Sequence, residues 1–250
     1  MLKHFEETNI SIFRKALADE TINAITFPEP ARGVALPYIP TSPLKPFQFW
    51  YVNESWRENW SNLEANVSDE FNCMANDITS RCRKLLEIFT DLTEDDSPFV
   101  SLRAITPDYF KDSKASVSAG WHRDASVFTL QDTIMGEPLE FTDDENVRRE
   151  YFDMNQIQPF SSADSAILKS ENGVRLVPRE CVAILKGELR SDESDEGTLD
   201  FLGNFIDTKN IEDFNHGRGL IHRGHKDTKN GRLVLTVSTH KIPAWMRNTI

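Results

Sequence analysis

The chain has few cysteines. Cys73, Cys82 and Cys181 are odd in number and widely spaced. That excludes a disulfide framework, and without a C-x-x-C pair it also excludes a cysteine-based zinc site. Reduced thiols and a cytoplasmic location are expected, with Cys73 and Cys82 in the core of one helical pattern. Basic residues are also short: 28 against 40 acidic ones, a net charge of −12. Such a surface repels phosphate backbones and anionic lipid, and there is no dense Lys/Arg cluster, so neither nucleic acid nor a membrane is an expected partner. Long apolar runs are missing too. None approaches the roughly 20 residues that span a bilayer. The first twenty residues carry no apolar leader core and no cleavage site, so no secretion signal is expected there. No internal repeat is visible.

The remaining composition is that of a globular protein with length enough for one large domain. Residues 1–250 are read as a single domain, with a helical part and a proline-rich arm over 1–97 and a β-rich core over 98–250. Residues 4–25 look helical. Residues 28–50 are crowded with proline and cannot form a regular helix. Their aromatic end (36–51) is read as a lid or a clasp. Over 53–92, Val67, Phe71, Met74, Ile78, Cys82, Leu85 and Phe89 recur at intervals of three and four, one apolar helical stripe for core packing. Strands are expected at 99–106, 125–134, 174–177, 181–187, 219–222 and 232–240, and a helix at 143–153. The acidic run at 190–197 reads as a solvated loop. Helices first and strands after suggest an α+β fold, the helices packed on one side of an antiparallel sheet or barrel.

Chemistry concentrates in two stretches. In "GWHRDA" (120–125), His122 and Asp124 are two positions apart, and in an extended chain they point to one face. An H-x-D pair alone is weak. The second stretch is "GLIHRGHKDTKNGRLVLTVS" (219–238). His222 closes a short apolar run, Asn230-Gly231 signals a turn, and a hairpin would return Arg232 to the neighbourhood of His222. A guanidinium beside a metal-binding histidine is a natural seat for a carboxylate. His122, Asp124 and His222 together supply two imidazoles and one carboxylate, a facial set that leaves coordination positions open. His216 and His225 are rivals to His222, with His225 placed in an exposed loop. His240 is read as structural and Trp121 as packing. Lys186 is a rival anchor to Arg232, and Arg103 is read either as a substrate contact or as part of a buried salt bridge.

With this order and spacing, the chain resembles the Fe(II)/2-oxoglutarate-dependent oxygenase superfamily. There, H-x-D lies near the start of a double-stranded β-helix, the distal histidine comes late, and an arginine about ten residues further binds the far carboxylate of 2-oxoglutarate. "GWHRDA", "TIMGEPLEFTDDENV", "VPRECVAILKGE" and "LIHRG…GRLVLTVS" also resemble, over roughly 100–240, an uncharacterised bacterial family that carries a domain-of-unknown-function label and is often encoded beside zinc-homeostasis genes. The resemblance implies a jelly-roll or cupin-like barrel with N-terminal helices on one face. It implies Fe(II) on His122, Asp124 and His222, and 2-oxoglutarate as co-substrate with Arg232 on its far carboxylate. The implied reaction is oxidation, usually hydroxylation, of a small molecule or amino-acid-like substrate. One position departs from the superfamily pattern R-x-S: Val234 stands where the serine is usual, and hydroxyls on that face come later, at Thr236 and Ser238. Two other readings remain open here, a zinc-binding protein on the same barrel and a barrel used as an interaction module.

Overall fold

The structure is a computed structural model and describes residues 1–30, 44–45, 47–51, 55–106, 120–157, 164–189, 198–199, 205–206, 214–215, 217–225 and 231–247. Its elements run β1 (Leu2–His4), α1 (Ile10–Leu17), β2 (Ala24–Pro28), β3 (Phe47–Tyr51), α2 (Trp60–Phe71), α3 (Ala75–Thr93), β4 (Phe99–Ile105), β5 (Phe128–Met135), β6 (Glu140–Thr142), α4 (Arg149–Ile157), α5 (Asp164–Ile167), β7 (Arg175–Leu176), β8 (Cys181–Lys186), β9 (Thr198–Leu199), β10 (Phe205–Ile206), β11 (Ile221–Arg223), β12 (Arg232–Thr239) and α6 (Ala244–Arg247).

A seven-stranded sheet, ordered β1-β2-β8-β5-β12-β4-β3, dominates the molecule, and β11-β6-β7 form a second, small sheet. The period-2 alternation of β12 shows how the large sheet divides space. Leu233, Leu235 and Val237 join the main apolar cluster with Val100, Leu102, Leu130, Val182 and Ile184 of neighbouring strands. Against them pack Phe13 and Leu17 of α1, Leu63 and Val67 of α2, and Ile78, Cys82, Leu85 and Phe89 of α3. Each such side chain contributes roughly 1.5–3 kcal/mol on full burial. The opposite face of β12 carries Arg232, Val234, Thr236 and Ser238, all buried. On that side Ala24, Ala183 and Leu185 of the large sheet pack against Leu139, Phe141 and Leu220 around the small one. Two sheets thus face each other across an interior that is apolar at the β2-β8 end and polar at the β4-β12-β5 end. Among the described residues the hydrogen-bonded pairing does not close into a barrel.

The helical layer lies on one face of the sheet, as the order of elements implied, but the chain reaches it differently. Residues 4–25 are not one helix. His4 belongs to β1, a helix occupies only Ile10–Leu17, and Ala24–Pro28 form β2, buried throughout. A strand covered on both faces shows a continuous apolar run, which periodicity cannot separate from a helix. The large sheet draws β1, β2 and β3 from before residue 98. The 53–92 stripe is also divided: a 3-10 turn at Asn72–Met74 separates α2 from α3, and Asn72 has φ 47°. This break turns Cys73 outward, so it is exposed, whereas Cys82 is buried as expected. Residues 219–238 do not form a hairpin either. β11 pairs with β6 in the small sheet and β12 lies between β4 and β5 in the large one, so the chain crosses between sheets. The expected helix near 143–153 is a 3-10 turn at Asp144–Asn146 followed by α4. Residues 31–43, 46, 190–197 and 216 lie outside the described residues, and with them most of the proline-rich arm, the acidic run and His216.

Candidate metal centre

The small sheet builds the centre. His122 and His222 form an isolated antiparallel bridge, each backbone N–H donating to the other's carbonyl at 2.9 Å. A directly opposed pair sends both side chains to one face, and the two imidazole rings stand 4.4 Å apart at 54°. β11 is flanked on its other side by β6, where His222 is in register with Phe141. Alternation then turns Ile221 outward into a cluster with Trp121, Phe152 and Leu168. The H-x-D segment is not a continuous strand. It bends after His122, β5 begins only at Phe128, and the bend swings Asp124 under both rings. Its carboxylate Oδ1 lies 3.5 Å from His122 Nε2 and 3.4 Å from His222 Nε2.

Second partners orient the rings. Nδ1 of His122 is 2.8 Å from the Gly120 carbonyl, and Nδ1 of His222 is 3.0 Å from that of Leu220. A carbonyl only accepts, so Nδ1 donates in each case, and each neutral ring presents its Nε2 lone pair inward. Two nitrogens and a carboxylate oxygen therefore converge within 4.8 Å of one another. Among the described residues, Asp124 Oδ2 and His222 Nε2 are buried without a hydrogen-bond partner. Such groups cost stability when left alone and call for a cation between them. The two separations from the Asp124 oxygen, 3.5 and 3.4 Å, are close to the roughly 3.0–3.4 Å between donors that sit about 2.1 Å from a shared ion and about 90–110° apart. Electrostatics point the same way. Burial pushes the Asp124 carboxyl up, but the two histidines outweigh it and hold it well below the usual carboxylate range. Burial lowers His222, and Asp124 more than offsets it, so its imidazole is raised.

Arg123, between the two H-x-D residues, points away from the centre. Its Nε donates to the Gly219 carbonyl at 2.8 Å, and its guanidinium pairs with Asp144 and Glu188. It ties the segment carrying His122 and Asp124 to the one leading into His222. Nothing in the spacing of residue types marks that role; it follows only from the packing of the two segments.

A cavity of about 320 Å³, its solvent mouth included, opens beside His122 and is lined by Arg103, Ile105, Gln131, Gly224, Arg232 and Val234. Arg232 is buried. It donates from Nε to the Glu137 carbonyl at 2.7 Å and from Nη2 to Thr133 Oγ1 at 3.4 Å. Among the described residues it makes no ion pair. Lys186, the rival anchor, faces the helical layer and donates to the Asp19 carbonyl at 2.7 Å, away from the cavity. His225 is not exposed as expected but partly buried, 3.5 Å from Glu140. The structure thus brings His122, Asp124 and His222 to one point, and sets Arg232 and Arg103 on the walls of the adjoining cavity.

No protein-family profile and no curated protein matches the chain. Among solved structures it is similar to the full-length thymine-7-hydroxylase of Neurospora crassa. The alignment with that enzyme in complex with alpha-KG and 5-formyluracil has 12% identity and a TM-score of 0.37, over 94% of this chain and 79% of that one. The alignment with the same enzyme in complex with alpha-KG alone has 14% identity and a TM-score of 0.36, over 97% and 84%. A likeness this remote settles neither fold nor function. No helix among the described residues is long and apolar enough to cross a membrane.

Proposed function

We propose that this chain is a cytoplasmic, single-domain, non-haem Fe(II)/2-oxoglutarate-dependent oxygenase acting on a small molecule, with its two facing sheets as the double-stranded β-helix. The observation that carries the reading is the pairing of a three-donor metal cluster with the buried Arg232 guanidinium, which makes no ion pair among the described residues, on the cavity that His122 also lines. Nε2 of His122, Nε2 of His222 and a carboxylate oxygen of Asp124 would hold the metal on one side and leave the cavity side open. Iron(II) with the oxoacid supplies oxygen-dependent hydroxylation coupled to oxidative decarboxylation of 2-oxoglutarate to succinate. The chain's part is positional. Gly120 and Leu220 carbonyls fix the ring tautomers, Arg123 holds the two ligand segments together, and Arg232 receives the far carboxylate. The Leu139, Phe141 and Leu185 cluster keeps the other end of the interior dry. A zinc site on the same three donors gives Arg232 no charge to meet.

Protein loaded anaerobically with Fe(II) and 2-oxoglutarate, then exposed to air, is expected to form succinate. His222→Ala is expected to lose stoichiometric metal by elemental analysis. A chain that isolates with zinc, binds no 2-oxoglutarate and forms no succinate would overturn the oxygenase reading. Unchanged metal content in His222→Ala would overturn the metal centre itself.

A further inference from the structure

Across the inner face of the large sheet, three polar side chains stand abreast. Thr236 of β12 is in register with Ser101 of β4 on one side and with Gln131 of β5 on the other. Strand alternation gives all three the face of Arg232 and Val234, opposite to Leu235 and Val237 of the apolar cluster. Side chains directly opposed on neighbouring strands lie about 4.5–5.5 Å apart at Cβ, so the row is continuous. Ser101 and Thr236 are at most 2% exposed, and Gln131 is partly buried.

The rows on either side are paired, and this one is not. One step along β12, Ser238 lies 3.2 Å from Thr129, which lies 2.8 Å from Ser126, a chain of bonded hydroxyls. One step the other way, Thr133 accepts from Arg232. Among the described residues, Ser101 Oγ and Thr236 Oγ1 are buried without a hydrogen-bond partner, and the Gln131 amide makes no hydrogen bond. Opposed Ser and Thr commonly bond each other across strands. A buried hydroxyl left alone costs stability, and here the fold keeps two side by side. Gln131 borders the cavity that His122 also lines, so the row opens on the space beside the metal centre. Hydroxyls and a carboxamide all donate and accept, and none of the three carries charge. An ion finds no counter-charge within the row. An amide, with N–H and C=O side by side, meets both capacities at once.

We infer that Ser101, Thr236 and Gln131 form a substrate subsite that takes an uncharged amide group and holds it in the cavity beside the metal centre. This rests on the oxygenase reading, and it narrows the small-molecule substrate to one that bears an amide. The three residues bind; the reaction itself does not pass through them.

The test uses three probes of one shape on protein loaded with Mn(II) and saturating 2-oxoglutarate: isobutyramide, isobutyrate and isobutyramidine, which are neutral, anionic and cationic. Broadening of each probe's methyl resonance by Mn(II) in an NMR titration reads both affinity and closeness to the metal. Isobutyramide is expected to bind best of the three. Thr236→Val, which keeps the shape, and Ser101→Ala are each expected to weaken it about 3–10-fold, the size of one net hydrogen bond, with metal content and 2-oxoglutarate affinity as in wild type. Each should also raise the urea midpoint of the free protein, because an unpaired buried hydroxyl has been removed. A lowered midpoint would assign the hydroxyl to the fold and overturn the subsite. If either variant fails to fold, Gln131→Leu, at the partly exposed end of the row, decides by the same loss of isobutyramide affinity. Isobutyramide that binds no better than the charged probes, or that binds variants and wild type alike, would overturn the subsite and leave the oxygenase reading standing. Wild-type protein that takes up neither Mn(II) nor 2-oxoglutarate would overturn both.

Discussion

At Gly187 an added Cβ would sit 2.3 Å from the Ser126 carbonyl oxygen and 2.5 Å from that of Asp124. The backbone of the H-x-D bend therefore rests directly on this glycine, and the next residue, Glu188, donates its N–H to the Asp124 carbonyl at 2.8 Å. Gly187→Ala must push the bend, and Asp124 moves with it. Metal affinity is expected to fall about 10–100-fold, as for lost support behind a ligand, with the His122–His222 bridge intact, measured by competition with a chromophoric chelator. Lys186, the preceding residue, makes a different prediction. Burial lowers its amine to about 8, against an ordinary 10.5, with Asp19 and Glu20 opposing. Between those two values the unfolded chain binds more protons than the folded one, so folding stability rises with pH. Relative to Lys186→Met, wild-type protein is expected to gain up to about 3 kcal/mol from pH 8 to pH 10.5, read from urea unfolding at each pH. A flat difference between the two proteins would count against a buried, proton-poor amine.

One buried charge network joins helix to sheet. Arg81 of α3 reaches across the helical layer to Asp132 of β5 with two hydrogen bonds of 2.6 Å, and Glu29 lies 3.4 Å away. Asp132 is fully buried on the apolar side of the large sheet, and a carboxylate there is tolerated only because the guanidinium fork matches it. Arg81→Ala leaves two acids facing each other in the core and is expected to cost roughly 3–5 kcal/mol in chemical denaturation. Arg83, two residues on, makes an exposed contact with Glu87 at 3.6 Å. Arg83→Ala is expected to cost less than about 1 kcal/mol. The contrast also shows what was legible within elements. The Val67–Phe89 stripe declared which helix faces were buried, because a 3.6-residue period reflects local geometry. The break at Asn72–Met74 carries no comparable pattern, and nothing in the strand expected at 125–134 singled out Asp132. β2 was missed because a strand buried on both faces has no alternation, and β3 because the proline-rich stretch before it hid a five-residue strand.

The large sheet and the β11-β6-β7 sheet hold between them an interior that is polar at the β4-β12-β5 end, where the metal cluster sits, and ligand binding there should stabilise the fold. With metal at 100 times its dissociation constant, mass action adds about 2.7 kcal/mol. For a chain of this size that is an expected rise in melting temperature of roughly 5–10 °C. Fe(II) under anaerobic conditions, or Mn(II) in air, should produce it in a thermal scan. Chelator should reverse it, and His122→Ala should abolish it. The net charge of −12 leaves the pocket sign undetermined. An acidic surface encloses a cavity walled by two arginines, since overall charge sums the exterior and not the site.

The amino-acid order alone determined the kinds of donor, their separations and the alternating faces of β12 and α3, because residue identity and short-range period are properties of the chain itself. It marked His122, Asp124, His222 and Arg232 as a group by spacing and resemblance. Tertiary structure decided the rest. A backbone bridge, not a hairpin, brings the two imidazoles onto one face; a bend, not a strand, carries the carboxylate to them; the crossing from small sheet to large puts Arg232 on the cavity wall; and pairing across β4 and β12 adds Arg103, while Lys186 is turned to the other side. These are contacts between residues far apart in sequence. They depend on which strands neighbour one another and which face of each is covered, and no local pattern of residues encodes either.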